Sequence, residues 1–392
     1  MIPRDEVSAT TPLAELTTMR VGGPAARLLV ARSADELVER ANELWDAEEP
    51  WLLLGGGSNT VVSDEGFPGT VLLVDFDGVE RIETGEEAPG TVRLRVQAGH
   101  DWDALVAECV ERGWAGIEAL SGIPGFAGAA PVQNIGAYGT ELSDVLHSIR
   151  FLDRFEGGVR TITADELELS YRDSAIKRGL EGVVLSIDLV LGEGSRRGRH
   201  GDGEGPVLSA PIAYAQLANA LGVELGARVP LADVRREVLR LRASKGMVLD
   251  PADHDTWSSG SFFTNPIVSE RFARTLPEHA PRFPVDQVDP APAVTSLEEI
   301  AAGLPLRVPP PAPEPKVKLS AAWLIEHSGI GRGFRLPGSG AAISSKHTLA
   351  ITNRGGATAA QVAELGRFVV QRVRQEFGVV LVPEPNLYGL EI

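Results

Sequence analysis

Two hydrophobic periods interleave along the first half of the chain. Trp51–Leu54 and residues 70–76, 91–98 and 182–191 are short apolar runs bounded by turn-forming residues, which predicts strands. Between them the period lengthens to that of a helix. Ser33 with Glu36 has capping-box spacing and opens a stripe through Leu37 and Leu44. Trp102, Leu105, Val106, Cys109 and Val110 fall at i, i+3, i+4, i+7 and i+8, and Gly113 follows as a stop. Helical spacing resumes at Leu231, Val234, Val238 and Leu241, and again from Ser320 to His327 with Gly329 as the stop. A last long helix should open at Thr358, with Gln361 completing a capping box, and end near Phe377-Gly378. A final strand is expected over residues 379–382, running into Pro383-Glu384-Pro385. This mixture implies an α+β or α/β chain without identifying its topology.

Two stretches break the pattern and read as insertions or linkers. Residues 192–206 are glycine-rich and charged, and residues 286–315 contain Pro290, Pro292 and Pro309-Pro310-Pro311, which favour extended backbone. A short turn at Leu297-Glu298-Glu299-Ile300 interrupts the second. The length of 392 residues suggests two or three domains at roughly 100–200 residues each. Hydrophobic residues make up 43% and charged residues 23%, a globular profile. No apolar run is long enough to span a bilayer, and acidic residues stand where a signal peptide needs an apolar stretch, so a cytoplasmic location is expected. The formal charge of −17 disfavours nucleic acid as a partner, since the cluster Arg196-Arg197-Gly198-Arg199 is embedded in glycine and acid. The single cysteine, Cys109, excludes an internal disulfide and stands in a helical stripe, so it is expected in the core. The seven histidines show no metal-ligand spacing, and no metal is expected.

Five segments could carry chemistry. Gly55-Gly56-Gly57-Ser58-Asn59 follows an apolar strand directly; such a loop can turn its N–H groups inward as an anion nest suited to a pyrophosphate, or simply make a tight turn. It is neither a dinucleotide fingerprint nor a P-loop. The stretch 121–139 is built of small residues around Ile123-Pro124-Gly125 and Gln133-Asn134-Ile135-Gly136-Ala137, which suits a close wrap around a large flat ligand better than an ordinary loop, which rarely keeps this composition over nearly twenty residues. Arg172, in Tyr171-Arg172-Asp173-Ser174, offers a planar cation for a carboxylate or phosphate, or a surface ion pair. Ser261, in Ser258-Ser259-Gly260-Ser261-Phe262-Phe263-Thr264-Asn265-Pro266, is presented by a glycine turn without a nucleophile elbow, leaving proton donor, hydrogen-bond donor or plain turn residue open. Glu384 is held between Pro383 and Pro385, which suits an aimed carboxylate or an ordinary strand end.

Taken in order and with their separations, these motifs, together with Thr17-Thr18-Met19-Arg20-Val21-Gly22-Gly23, resemble the UDP-N-acetylenolpyruvoylglucosamine reductase family, tyrosine-loop type. The resemblance covers nearly the whole chain apart from the two insertions. It implies an α+β chain: two FAD-binding subdomains of the vanillyl-alcohol-oxidase/PCMH type over residues 1–75 and 76–246 (the PCMH-type region being about 17–190), then a substrate-binding domain over 247–392. Cofactor contacts would come from Gly55, Gly56, Gly57, Ser58, Asn59, Ile123, Pro124, Gly125, Gln133, Asn134, Gly136 and Ala137. No histidine stands at 55–60, so the FAD should be noncovalent, with NADPH as electron donor. The catalytic trio carried over is Arg172, Ser261 and Glu384, and Tyr214, Lys245 and Asn265 are placed at the substrate, UDP-N-acetylglucosamine enolpyruvate. The expected state is a monomer with no membrane or nucleic-acid partner.

Overall fold

The computed structural model describes residues 7–8, 10–83, 85, 88–194, 206–285 and 314–392. Most of both insertions, with the arginine cluster at 196–199 and the turn at 297–300, lies outside the described residues.

The first sheet is parallel. β1 (Ala25–Ala31) leads through α1 (Ala34–Asp46) to β2 (Trp51–Leu54); β3 (Thr60–Val62) then precedes β4 (Phe67–Val74), which pairs in parallel with both β1 and β2. Strands running the same way need a crossover, and α1 supplies one. β4 is buried on both faces. Val71 and Leu73 point toward Leu13, Leu16 and Val62, while Leu72 and Val74 lie under Leu37, Ala41 and Leu44 of α1. Each such side chain contributes about 1.5–3 kcal/mol of burial. Ser33 caps α1 by accepting the Glu36 N–H at 3.1 Å, but the box does not close. The Glu36 carboxylate instead accepts the Arg32 N–H at 2.8 Å, one residue short of Ser33.

The second sheet is antiparallel. It contains β5 (Val79–Ile82), β6 (Thr91–Gln97), the two-residue β7 (Trp114–Ala115) reached through α2 (Trp102–Arg112), and, beyond a tight hairpin of β8 (Gly136–Ala137) and β9 (Thr140–Glu141), the strands β10 (Leu146–Asp153), β11 (Gly158–Thr163) and β12 (Gly182–Glu193). The order is β11-β10-β12-β6-β5, with β7 beside β12. β12 is buried almost throughout because it serves two cores. Val183 and Leu185 pack with α1, whereas Val184, Ile187, Leu189 and Leu191 pack with α2. The change of parity between Val184 and Ile187 coincides with a register shift where Arg150 and Phe151 pair with Ser186 and Val184, so an extra residue flips the strand's faces. Cys109 is fully buried in the α2 core, and burial pushes its thiol pKa up to about 12. Two further helices, α3 (Ala215–Leu221) and α4 (Leu231–Ala243), form a satellite core from Leu217, Val234, Val238 and Leu241.

The remaining elements are β13 (Ile267–Ser269), α5 (Glu270–Ala273), β14 (Arg282–Pro284), β15 (Lys316–Leu319), α6 (Ala321–His327), β16 (Ala341–Ile343), β17 (Ile351–Asn353), α7 (Ala359–Phe377) and β18 (Asn386–Tyr388). Their core gathers Phe262, Phe263, Leu324, Ile325, Val362, Val369 and Val373, and it also takes Met19, Val21 and Val61 from the N-terminal region. The expected strand at 379–382 is not one. Val379 and Leu381 are buried while Val380 and Val382 are exposed, the period-2 pattern that predicts a strand, yet this segment forms no ladder. It is tied instead by single bonds around it, from Thr264 N–H to the Val382 carbonyl at 3.1 Å and from Glu384 N–H to the Phe262 carbonyl at 2.9 Å. The true terminal strand is β18, which runs parallel to β3 and so returns the chain's end to the first glycine loop.

Candidate active site

The two glycine segments pack directly on each other. A Cβ on Gly56 would lie 2.8 Å from Gly125 Cα, and one on Gly125, whose φ is +116°, would lie 2.6 Å from Ser58 Oγ. Gly57, at φ +63°, backs onto the Leu16 carbonyl so closely that a Cβ would stand 2.1 Å from it. These positions therefore admit only glycine, and the backbone comes as near to a ligand as it can. Ile123 and Pro124 precede Gly125 on the same half-buried turn, and Ala127–Gln133 continues as a 3-10 helix.

Gln133 and Asn134 end that helix and do different work. The Asn134 amide is buried and spent inside the protein: Nδ2 donates to Glu141 Oε2 at 2.8 Å and to the Ser170 carbonyl at 3.2 Å, while Oδ1 accepts the Ser143 N–H at 3.0 Å. Its side chain thus pins a left-handed residue (φ +46°) rather than reaching into the cleft. Its carbonyl accepts Arg172 Nη1 at 3.3 Å, and the Gly136 carbonyl accepts Nη2 at 3.1 Å, next to Ala137 in the β8–β9 hairpin. Arg172 is itself held at φ +55°. Gln133 faces the other way. Its Nε2 donates to Glu384 Oε1 at 3.2 Å, and its Oε1 accepts Asn59 Nδ2 at 3.4 Å.

Arg172 and Glu384 meet across this frame. Arg172 Nε lies 3.1 Å from Glu384 Oε1, in charge contact without the alignment of a hydrogen bond, so the buried Nε keeps an unused donor. Glu384 is only 11% exposed at its side chain; burial raises its carboxyl pKa, opposed by Arg172, Lys177 and the Gln133 hydrogen bond. Ser261 follows Gly260, at φ +74°, on the segment that bonds to Glu384 through Phe262. Phe262 and Phe263, both buried with ring centroids 5.2 Å apart, anchor that segment. His254 stacks edge-on against Trp257 at 4.3 Å and forms no hydrogen bond with Ser261 among the described residues, so no serine–histidine nucleophile is assembled.

The residues expected at the substrate fall into two groups. Tyr214 and Lys245 cluster: the Tyr214 ring lies 5.9 Å from that of Tyr138, and Lys245 Nζ lies 5.6 Å from the Tyr138 ring and 3.1 Å from Gln216 Oε1. Asn265 belongs with Tyr171, donating to its hydroxyl at 3.2 Å, while its Oδ1 accepts the Ala321 N–H at the start of α6. Lys318 stands 4.2 Å over the Tyr171 ring, and the sequence reading assigns no role to it, to Tyr138 or to Arg242. The clearest missed signal is Arg242, four residues after Val238 on the apolar face of α4.

The donor set fits a large polar cofactor. Beside the glycine cradle, the buried Arg172 Nε has no hydrogen-bond partner among the described residues, as is also true of the ring nitrogens of His100, Ser259 Oγ, Arg242 Nε, Arg93 Nε, Ser186 Oγ and Trp257 Nε1, a condition that costs stability unless a ligand or water meets it. Among the described residues no group of histidine, cysteine, aspartate and glutamate could hold a metal ion, and no helix is long and apolar enough to cross a membrane.

Comparisons with known proteins bear on the family and the fold. Residues 25–163 match the family model of an FAD binding domain, and residues 250–388 match that of the UDP-N-acetylenolpyruvoylglucosamine reductase C-terminal domain. The sequence is 60% identical over 382 residues to UDP-N-acetylenolpyruvoylglucosamine reductase of Leifsonia xyli subsp. xyli, covering 97% of this chain and 98% of that relative. It is 48% identical over 387 residues to the same-named protein of Saccharopolyspora erythraea, covering 98% and 97%. Among solved structures, UDP-N-acetylenolpyruvylglucosamine reductase from Thermus caldophilus aligns with a TM-score of 0.56 and 24% identity over 96% of this chain and 97% of that one, a likeness of fold.

Proposed function

The chain belongs to the UDP-N-acetylenolpyruvoylglucosamine reductase family, FAD-dependent oxidoreductases of peptidoglycan synthesis, and we propose that it reduces UDP-N-acetylglucosamine enolpyruvate to UDP-N-acetylmuramate with electrons from NADPH. The FAD is held noncovalently between the loop at 55–59 and the segment at 123–137, and the protein acts as a cytoplasmic monomer. When bound, FAD supplies a hydride to the β-carbon of the enolpyruvyl group. One C=C π bond is consumed, and the electron pair it leaves at the α-carbon spreads into the neighbouring carboxylate. Arg172 is a permanent cation placed to stabilise that charge in a site shielded from water. Glu384, biased toward its protonated form by burial, donates a hydrogen bond to the same carboxylate. Ser261 gives its proton to the α-carbon, which is basic enough to take it at close range. Tyr214, Lys245 and Asn265 hold the substrate's diphosphate side.

The observation that carries this reading is the Arg172–Glu384 contact at 3.1 Å, tied through Gln133 and Asn59 to the first glycine loop and through Phe262 to the segment of Ser261. The test is NADPH oxidation by the purified yellow protein, with and without the enolpyruvyl substrate. Substrate-dependent oxidation, with FAD released on denaturation, is expected. Oxidation that ignores this substrate and instead consumes oxygen would point to an oxidase of the same fold.

A further inference from the structure

Helix α4 carries two arginines on its inner face. Arg235 follows Leu231 by four residues and Arg242 follows Val238 by four, so both stand in line with the apolar stripe. A charge in such a place is normally paired. Arg235 is: its Nη1 and Nη2 donate to the two oxygens of Asp103 at 2.6 and 3.0 Å. Arg242 is not. Among the described residues its side chain makes one hydrogen bond, from Nη2 to the Met247 carbonyl at 3.0 Å, and its buried Nε meets no acceptor. Asp103, the carboxylate that acts on it electrostatically, is already taken by Arg235 and by the Gly122 N–H at 2.6 Å. Tyr138 also favours its charged form, ahead of Asp103, while Arg172, a second cation, opposes it. Burial, as the main cause, holds the Arg242 guanidinium below its ordinary range, the mark of a cation lacking an anion.

Its position says which anion. A Cβ on Gly122 would lie 3.4 Å from Arg242 Nε, so the guanidinium rests against the start of the second glycine segment. Ser58 of the nest abuts Gly125, three residues further on. Arg242 therefore lies against the second glycine segment and within electrostatic reach of Arg172. Lys245, by contrast, turns toward Gln216 and Tyr138, where a compact charge suits a phosphate. A planar guanidinium with an open Nε matches a planar edge bearing two adjacent acceptors. The N1 and C2-carbonyl edge of an isoalloxazine is such an edge, and it carries the negative charge of the reduced ring.

We propose that Arg242 is the counter-cation of the reduced isoalloxazine's N1–C2 carbonyl edge and thereby raises the cofactor's reduction potential. This rests on the FAD reading above and adds a residue role to it. The test compares FAD-loaded wild type with Arg242→Met and Arg242→Lys. Three quantities are read: midpoint potential against a reference dye, affinity for sulfite, whose addition at N5 leaves charge at N1, and the dissociation constant of FAD. The Met variant should show a lowered potential and at least a tenfold weaker sulfite affinity while still binding FAD at saturation, and the Lys variant should fall between. Weaker FAD binding with potential and sulfite affinity unchanged would assign Arg242 to the pyrophosphate and overturn the proposal. A raised KM for substrate with an unaltered flavin would overturn it in favour of the substrate. If the Met variant does not fold, the Lys variant decides by the same criteria. A wild-type protein that binds no FAD would defeat the functional reading itself, before any variant is compared.

Discussion

At the scale of single residues, adjacent side chains in one motif turn out to have opposite tasks. Gln133 and Asn134 are indistinguishable in sequence, two amides in a run of small residues, and both were expected to face a ligand. The fold turns one toward Glu384 and locks the other into Glu141, Ser143 and Ser170. Which way an amide points depends on partners that sequence spacing does not contain. Arg172, Ser261 and Glu384 are selected by a resemblance over most of the chain; the residues alone leave each with an ordinary explanation. Two substitutions separate the roles. Ser261→Ala removes a hydroxyl that forms no hydrogen bond among the described residues, so flavin reduction by NADPH and the melting temperature should stay near wild type while substrate reduction slows by orders of magnitude. Equal loss in both half-reactions, read by stopped-flow absorbance, would make Ser261 a folding or flavin-binding residue. Asn134→Ala should instead lower stability by about 1–3 kcal/mol, since it orphans buried partners, and lower activity with it by loosening the carbonyls that hold Arg172. A denaturation midpoint equal to wild type would remove Asn134 from that frame.

Whole elements were more legible than their ends. The strands at 51–54, 91–97 and 182–193 and the helices around Leu105, Val238 and Val369 appear where periodicity put them, because a period of 2 or 3.6 reports directly on which face is buried. The segment 379–382 shows the limit: alternation guarantees alternating burial, not a hydrogen-bonded neighbour. Helix α7 shows the same limit at a cap. Thr358 and Gln361 close the expected box, with the Gln361 N–H donating to Thr358 Oγ1 at 3.2 Å and the Thr358 N–H to Gln361 Oε1 at 3.3 Å. Asp64, from the loop after β3, also accepts the Ala359 and Ala360 N–H groups at 2.7 and 2.9 Å, and no local reading could supply it from 295 residues away. A carboxylate at a helix N-terminus adds charge to the hydrogen bonds. Asp64→Ala should therefore destabilise the protein by about 1–2 kcal/mol, at least as much as Thr358→Ala at about 1 kcal/mol. Added salt should narrow the Asp64 effect. An Asp64→Ala protein with wild-type stability in urea would show that the Thr358 box carries the cap alone.

At the scale of the whole molecule, segments far apart in sequence pack together, so charges on one shift the titration of groups on another. His347, on the loop between β16 and β17, is the clearest case. Burial first, then Lys245 and Arg332, with Glu326 opposing, lower its pKa from an ordinary 6.5 to about 4. A histidine whose folded pKa is depressed binds fewer protons folded than unfolded between those two values, so its contribution to stability is full above about pH 6.5 and is lost as pH falls toward about 4. The whole effect is at most about 3 kcal/mol. Asp255 acts in the same direction further down. Burial alone would raise its pKa, but hydrogen bonds from Ser345 and Ser344 and the charge of Arg354 outweigh it and hold the carboxyl below its usual range. Its contribution is present above the unfolded carboxyl pKa and disappears only as pH falls through the lower folded one. The two groups therefore separate in pH. Melting temperature measured from about pH 7.5 down to about 4.5 should decline for wild type across the histidine window, and His347→Gln should flatten that decline without altering the steeper loss that begins below it. Parallel curves for the two proteins would mean that His347 is as free to protonate in the folded chain as in the unfolded one, and that the cationic cluster around Lys245 does not reach it.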